Sequence, residues 1–220
     1  QATDPSSSSQ QANRRALLCF GRVLAAEVVE EDVIRREMDA LGNVLTGEEG
    51  SALFYLRRAL CARLDMLSRT DEAIDLARAS VERARTPGLT GDMTVLLQDL
   101  GLLQLEQADF RAAFASFRES SDLALLIGQK DILARNEAAR HYIDAMKFGS
   151  VEAHDRLEAM TIDNNDVLLA ILSHLFLGLI DLQARKKSAA RRWLQKAKDL
   201  GRKWENRRFE PRIDAALASL

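Results

Sequence analysis

Along most of the chain, apolar side chains recur three and four positions apart, the spacing that keeps them on one face of an α-helix. The segment after Lys187 is the plainest case. At about 100° per residue, Trp193, Leu194, Ala197, Leu200 and Trp204 share one arc, with Arg191, Arg192, Lys196, Lys198, Arg202 and Lys203 around the other side. The pattern predicts helices over about 12–30, 31–45, 49–68, 70–86, 92–107, 109–127, 131–147, 150–160, 165–184, 187–206 and 211–219. Punctuation supports several boundaries. Thr70 and Asp71 read as an N-cap, Pro87, Gly88 and Gly91 as breaks, Asn164 and Asn165 as caps, and Pro211 as a first-turn residue. The polar opening QATDPSSSSQQ has no such period. Residues 1–12 therefore read as a disordered tail or linker, and 13–220 as one domain.

A longer period of about 40 residues overlies the helical one. Small residues stand at Gly21, Cys61, Gly101 and Gly178, with His141 at the matching point of the remaining unit. Twelve residues after each come Val33, Ala73, Ala113, Ala153 and Ala190; a turn later stand Glu37, Ala77, Phe117, Leu157 and Leu194, followed by Ala40, Ser80, Ser120, Met160 and Ala197. The first of these units is the weakest. A small residue on one helix and another early on the next let two backbones approach, and a bulky residue one turn later fills the space beside them. Each unit is then an antiparallel helical hairpin whose apolar face only the next hairpin covers.

These columns resemble the tetratricopeptide repeat. Leu97, Leu100, Gly101, Ala113, Phe117 and Ser120 match its motif, with Ala108, Asp109 and Phe110 in place of its turn triplet; Leu177, Gly178, Ala190, Leu194 and Ala197 match next best. Gln104 stands where an aromatic is common, and His141 replaces the small residue. The unit is longer than the usual 34 residues and is similar in this to the sensor arrays of large bacterial transcriptional activators. There, Gly128 would close a second helix in a left-handed cap. The resemblance implies an all-α, right-handed superhelical solenoid of five hairpins and a terminal helix. That last helix, PRIDAALASL, would be a cap or the start of a sixth unit.

By the same resemblance, the first helix of each hairpin lines a concave groove. The first unit would contribute Arg15, Leu18, Arg22 and Ala25; the second, Tyr55, Arg58, Ala62 and Asp65; the third, Val95, Gln98, Leu102 and Leu105. The fourth would supply Arg135, Ala138, Tyr142 and Ala145, and the fifth Leu172, Leu175, Leu179 and Leu182. Arg22, Arg58 and Arg135 are planar, bidentate donors suited to carboxylates of a partner peptide, or to acids of the protein's own surface such as Asp65. The leucine set leaves two readings open. It is an apolar groove for a partner helix, or it packs against Ile213 and Leu217.

Charge is uneven. The net charge is -2, yet residues 185–212 hold twelve Lys or Arg against Asp199, Glu205 and Glu210, a local balance of +9. Arg191, Arg192, Lys196, Arg202 and Lys203 thus form a candidate patch for an anionic partner, nucleic acid among them, while the tryptophans on the opposite arc read as core. Cys19 and Cys61 fall in apolar helical stretches and suit a reducing, cytoplasmic setting. No apolar run is long enough for a membrane span.

Chemistry for catalysis is sparse. His141, His154 and His174 lie well apart along the chain without a paired-histidine motif, and no phosphate-cradling glycine loop occurs. The expectation is a non-catalytic scaffold or adaptor, without cofactor or metal, that holds a peptide or helix of a protein partner. A module sensing a small-molecule effector or signal peptide within a larger regulatory protein is the alternative.

Overall fold

A computed structural model of the chain describes residues 5–27, 29–41, 47–85, 89–162 and 165–220. Those residues form an all-α protein. The helices are α1 (Pro5–Leu24), α2 (Glu31–Leu41), α3 (Gly47–Met66), α4 (Thr70–Ala84), α5 (Thr90–Glu106), α6 (Phe110–Ile127), α7 (Lys130–Phe148), α8 (Val151–Ala159), α9 (Val167–Gln183), α10 (Lys187–Lys203) and α11 (Glu210–Ala218). No strand occurs among the described residues, and no helix is long and apolar enough to cross a membrane. The predicted breaks at Pro87, Gly88 and Asn164 lie outside the described residues.

Several boundaries differ from the expectation. Helix α1 begins at Pro5, inside the polar opening, and Ala12 already packs on the core. Helix α4 takes Arg69, not Thr70, as its N-cap residue, without a side-chain capping bond. Gly91 lies in the first turn of α5 rather than before it. Asp166 caps α9, accepting from Leu168 N at 3.0 Å and Leu169 N at 3.1 Å, because its carboxylate satisfies two donors that Asn165 does not reach. Pro211 does sit in the first turn of α11, where its missing N–H costs nothing.

Neighbouring helices pack as antiparallel pairs, and the small-and-bulky columns are where they touch. A Cβ on Gly101 would stand 2.7 Å from the Phe117 ring, and one on Gly178 would stand 2.6 Å from Leu194 Cγ. In the second unit, Cys61 Sγ lies 3.7 Å from the carbonyl of Ala73. Ala73, Ala113, Ala153 and Ala190 are all buried, as are Ala77, Phe117, Leu157 and Leu194. The first unit departs from this pattern. Gly21 has nothing near its missing side chain and Val33 is exposed, since Glu37 offers no bulk to fill a contact and α1 instead packs along α3.

A backbone repeat accompanies the packing one. Ser68, Ala108 and Arg185 adopt left-handed φ values of 60°, 55° and 58° at the turns of α3–α4, α5–α6 and α9–α10. Each turn is closed by the same long bond: Arg69 N to Leu64 O (2.9 Å), Asp109 N to Gln104 O (3.0 Å) and Lys186 N to Asp181 O (2.8 Å). The predicted left-handed cap at Gly128 is also present, with φ 75°.

Helix α5 is the central element. Leu96, Leu97, Leu100 and Leu103 face the core built on α1–α4, whereas Leu102 and Leu105 face the core built on α6–α11. A buried polar chain fixes its register. Gln98 Nε2 donates to Asn136 Oδ1 (2.9 Å), Asn136 Nδ2 donates to Ser120 Oγ (2.9 Å), and Ser120 Oγ donates to Thr94 O (2.8 Å). With every member bonded, α5, α6 and α7 are held at one relative setting.

Candidate functional site

The end of α10 does not lead away from the first helix. Arg207 N donates to Leu24 O at 2.6 Å, so the α10–α11 connection is joined to the end of α1. Between that junction and the first turns of α7 and α9 lies a cavity of about 1040 Å³. Its apolar wall includes Leu17, Leu18 and Trp204, which are 43%, 67% and 54% exposed. Its polar wall carries Arg22, Arg135, Glu27, Asp131, Asp166 and Glu205, four carboxylates against two guanidiniums. Both guanidiniums are engaged: Arg22 Nε donates to Glu27 Oε2 at 2.6 Å, and Arg135 grips Asp166 through Nε (2.6 Å) and Nη2 (3.0 Å).

A second arrangement lies deeper, where the connection and α11 cross α3 and α5. Arg208, 8% exposed, donates from Nη1 to Asp99 Oδ1 at 2.8 Å, and its Nε lies 3.7 Å from Asp65 Oδ2. Arg58 donates to the other oxygen of Asp99 at 2.7 Å while stacking 4.6 Å above the Phe20 ring. Arg212 Nη1 reaches Glu106 Oε1 at 2.5 Å. Burial acts to raise the Asp99 carboxyl, but Arg58 and Arg208 together hold it below its ordinary range. Asp65 and Glu106 lack two close donors, and burial keeps them above theirs despite the arginines.

The predicted groove residues divide accordingly. Arg22, Arg135, Leu18 and Ala25 line the cavity. Arg15 lies outside it and pairs with Glu37 at 3.6 Å. Tyr55 is half-buried against Phe20 and Phe54. Arg58 and Asp65 hold the protein's own C-terminal segment or its partners, so they do not form an open wall. Gln98 is buried in the polar chain described above, and Tyr142 is buried against Phe176, ring centroids 4.5 Å apart. Leu172 and Leu175 are buried, and Leu179 and Leu182 pack on the same core as Ile213 and Leu217; packing, not an open apolar groove, describes this set. For Asp65 and the leucine set the reason is that the segment around Arg208 to Leu217 packs on them, whereas Gln98 is closed off by α7 and Tyr142 by α9.

The basic arc is exposed at Arg191, Arg192, Lys196 and Lys203, while Arg202 pairs with Glu210. Trp193 is packed on the core beside His174, as expected, but Trp204 is not. It follows the last turn of α10 and turns into the cavity, a position that helical periodicity extended past Lys203 misassigns. Leu17 and Trp204 are among the cavity residues that sequence reasoning missed. Neither carries a local signal, because the wall they share is made by residues from opposite ends of the chain. No family model, no curated protein and no solved structure matches this chain.

Proposed function

We propose that the protein is a non-catalytic interaction module of the tetratricopeptide type, a right-handed solenoid of helical hairpins working in the cytoplasm. Its ligand is an apolar-faced segment of a protein partner, bound in the cavity between α1 and the α10–α11 connection. The observation that carries this reading is the exposure of Leu17, Leu18 and Trp204 on one cavity wall. Three large apolar side chains facing water inside a concavity are what a partner's side chains would cover. The excess of carboxylates among the lining residues favours lysine or arginine beside the partner's apolar stripe, in place of the acidic partner that Arg22 and Arg135 suggested in isolation.

A peptide-display selection tests this, with counter-selection on a Leu18→Glu variant. The expected winners are amphipathic, basic sequences that shift tryptophan emission to the blue as Trp204 is covered. Selected peptides that bind wild type and Leu18→Glu equally would remove the cavity from consideration. The volume is also at the upper end of small-molecule sites, roughly 300–1,000 Å³. An effector that raises the melting temperature of wild type but not of Leu18→Glu, with no peptide selected, would favour the sensing role. Nucleic-acid binding through Arg191, Arg192 and Lys196 predicts steep weakening with salt.

A further inference from the structure

Helix α8 starts beneath a serine cap, Ser150 Oγ accepting from Ala153 N at 3.2 Å. The next residue, His154, shares a helix face with Glu158 one turn on, and Asp155 stands beside it. One ligand-type atom from each of these three side chains lies within 4.8 Å of the other two, and His154 Nδ1 is 3.9 Å from Asp155 Oδ1. All three line a cavity of about 510 Å³ between α8 and the end of α9. Among the described residues, neither Asp155 nor Glu158 forms an ion pair with a lysine or arginine.

An independent feature lies behind the histidine. Asp181, on α9, is 2% exposed, and its Oδ1 is 3.5 Å from His154 Nε2 and 3.6 Å from Lys186 Nζ. Neither Asp181 Oδ1 nor His154 Nε2 has a hydrogen-bond partner among the described residues. A buried carboxylate oxygen left without a hydrogen bond is costly. This one is aimed at the ring of the single histidine in the cluster.

We propose that α8 carries a divalent-metal site of the zinc class, with His154 Nδ1, Asp155 and Glu158 as ligands and Asp181 as the residue that orients His154. A neutral imidazole binds a metal through one nitrogen and carries its proton on the other. With the proton on Nε2, facing Asp181, the Nδ1 lone pair is left free for a metal on the side of the ring where Asp155 Oδ1 lies 3.9 Å away. Metal-bound histidines are commonly oriented in this way by a carboxylate behind the ring. Zinc accepts one nitrogen and two carboxylate oxygens at about 2.0–2.2 Å and leaves a fourth position for water, for which the adjoining cavity has room. Asp155 and Glu158 are exposed and change rotamer without disturbing the core, so their oxygens can close on a shared ion. The histidine spacing alone gave no such site; the missing donors are carboxylates on the same helix and a carboxylate brought by the neighbouring one.

Calorimetric titration of the whole chain with Zn²⁺, paired with Co²⁺ absorption spectra, tests the assignment. Wild type is expected to bind one equivalent and to give ligand-field bands with Co²⁺. His154→Ala should weaken Zn²⁺ binding at least about 100-fold and abolish the bands, and Asp181→Asn should weaken it about 10–100-fold, the range for lost outer partners. Glu158→Gln changes only an exposed side chain, so it decides the matter even where His154→Ala disturbs folding; a loss of tenfold or more is expected. Absence of saturable binding to wild type, or binding that Glu158→Gln leaves unchanged, would overturn the site. Unchanged affinity in Asp181→Asn, with helicity intact, would overturn the orienting role.

Discussion

Arg208 donates to Asp99 across 109 positions of sequence, at 2.8 Å, in a part of the protein closed to water. The same carboxylate takes Arg58 on its other oxygen, so two guanidiniums and one carboxylate are balanced by Asp65 below them. Removing one member of such a buried set strands the others. Arg208→Ala is expected to lower unfolding free energy by about 3–5 kcal/mol in urea titrations. A loss under about 1 kcal/mol would mean that solvent reaches the cluster.

Gly101 and Phe117 form the tightest contact of the third hairpin. Gly101→Ala places a methyl carbon 2.7 Å from a fully buried ring, and overpacking of this kind costs about 1–3 kcal/mol. Adding Phe117→Leu should recover part of the loss, a coupling readable in a double-mutant cycle. At Gly178 the new carbon also meets Leu194 N at 3.2 Å, and backbone cannot yield as a side chain does. Trimming Leu194 should therefore recover less. Additive effects at positions 101 and 117 would separate the two residues.

Ala108 holds φ at 55°, a conformation that costs an L-residue about 1–2 kcal/mol relative to glycine's freedom there. Offset by the greater entropy of glycine in the unfolded chain, Ala108→Gly should raise stability by about 0.5–1 kcal/mol. Ala113→Gly, in the helix just beyond, should do the reverse. A drop in melting temperature for Ala108→Gly would refute the left-handed turn.

His174 is enclosed on α9, its Nδ1 2.7 Å from Ala170 O and its ring 5.6 Å from that of Trp193. Burial pushes its pKa below the ordinary value; the Ala170 carbonyl opposes this, and Lys196 adds to it. As pH falls, the unfolded chain takes up the proton first, so acid favours unfolding. The histidine's contribution is thus complete above about pH 6.5 and declines below it, toward the folded-state pKa. Urea titrations between pH 8 and 5 should show this decline in wild type and its absence in His174→Gln. Parallel pH profiles would rule out a buried neutral ring.

Much of the hairpin packing was legible before any coordinates, because its determinants lie within about sixteen residues of one another. Gly101 with Phe117, and Gly178 with Leu194, announce themselves by spacing. The turn geometry was half-legible: Ala108, Asp109 and Phe110 read as a turn, where Asp109 accepts from Ala112 N at 3.0 Å, but left-handed Ser68 and Arg185 bear no glycine to mark them. The candidate sites were the least legible part. Arg22 and Arg135 read by repeat position as residues of a concave groove and both line the cavity, whereas Trp204 reads as core and Asp181 carries no signal.

The sequence by itself determined most of the helical segments, most of their apolar faces and, in the third and fifth units, which small residue meets which bulky one, since each of these is decided within a hairpin. Tertiary structure alone decided that Arg208 would reach Asp99, that Trp204 would join Leu17 and Leu18 in lining one cavity, and that Asp181 would stand behind His154. Those relationships join residues of different helices across the fold, and no single hairpin encodes which distant surface it will meet.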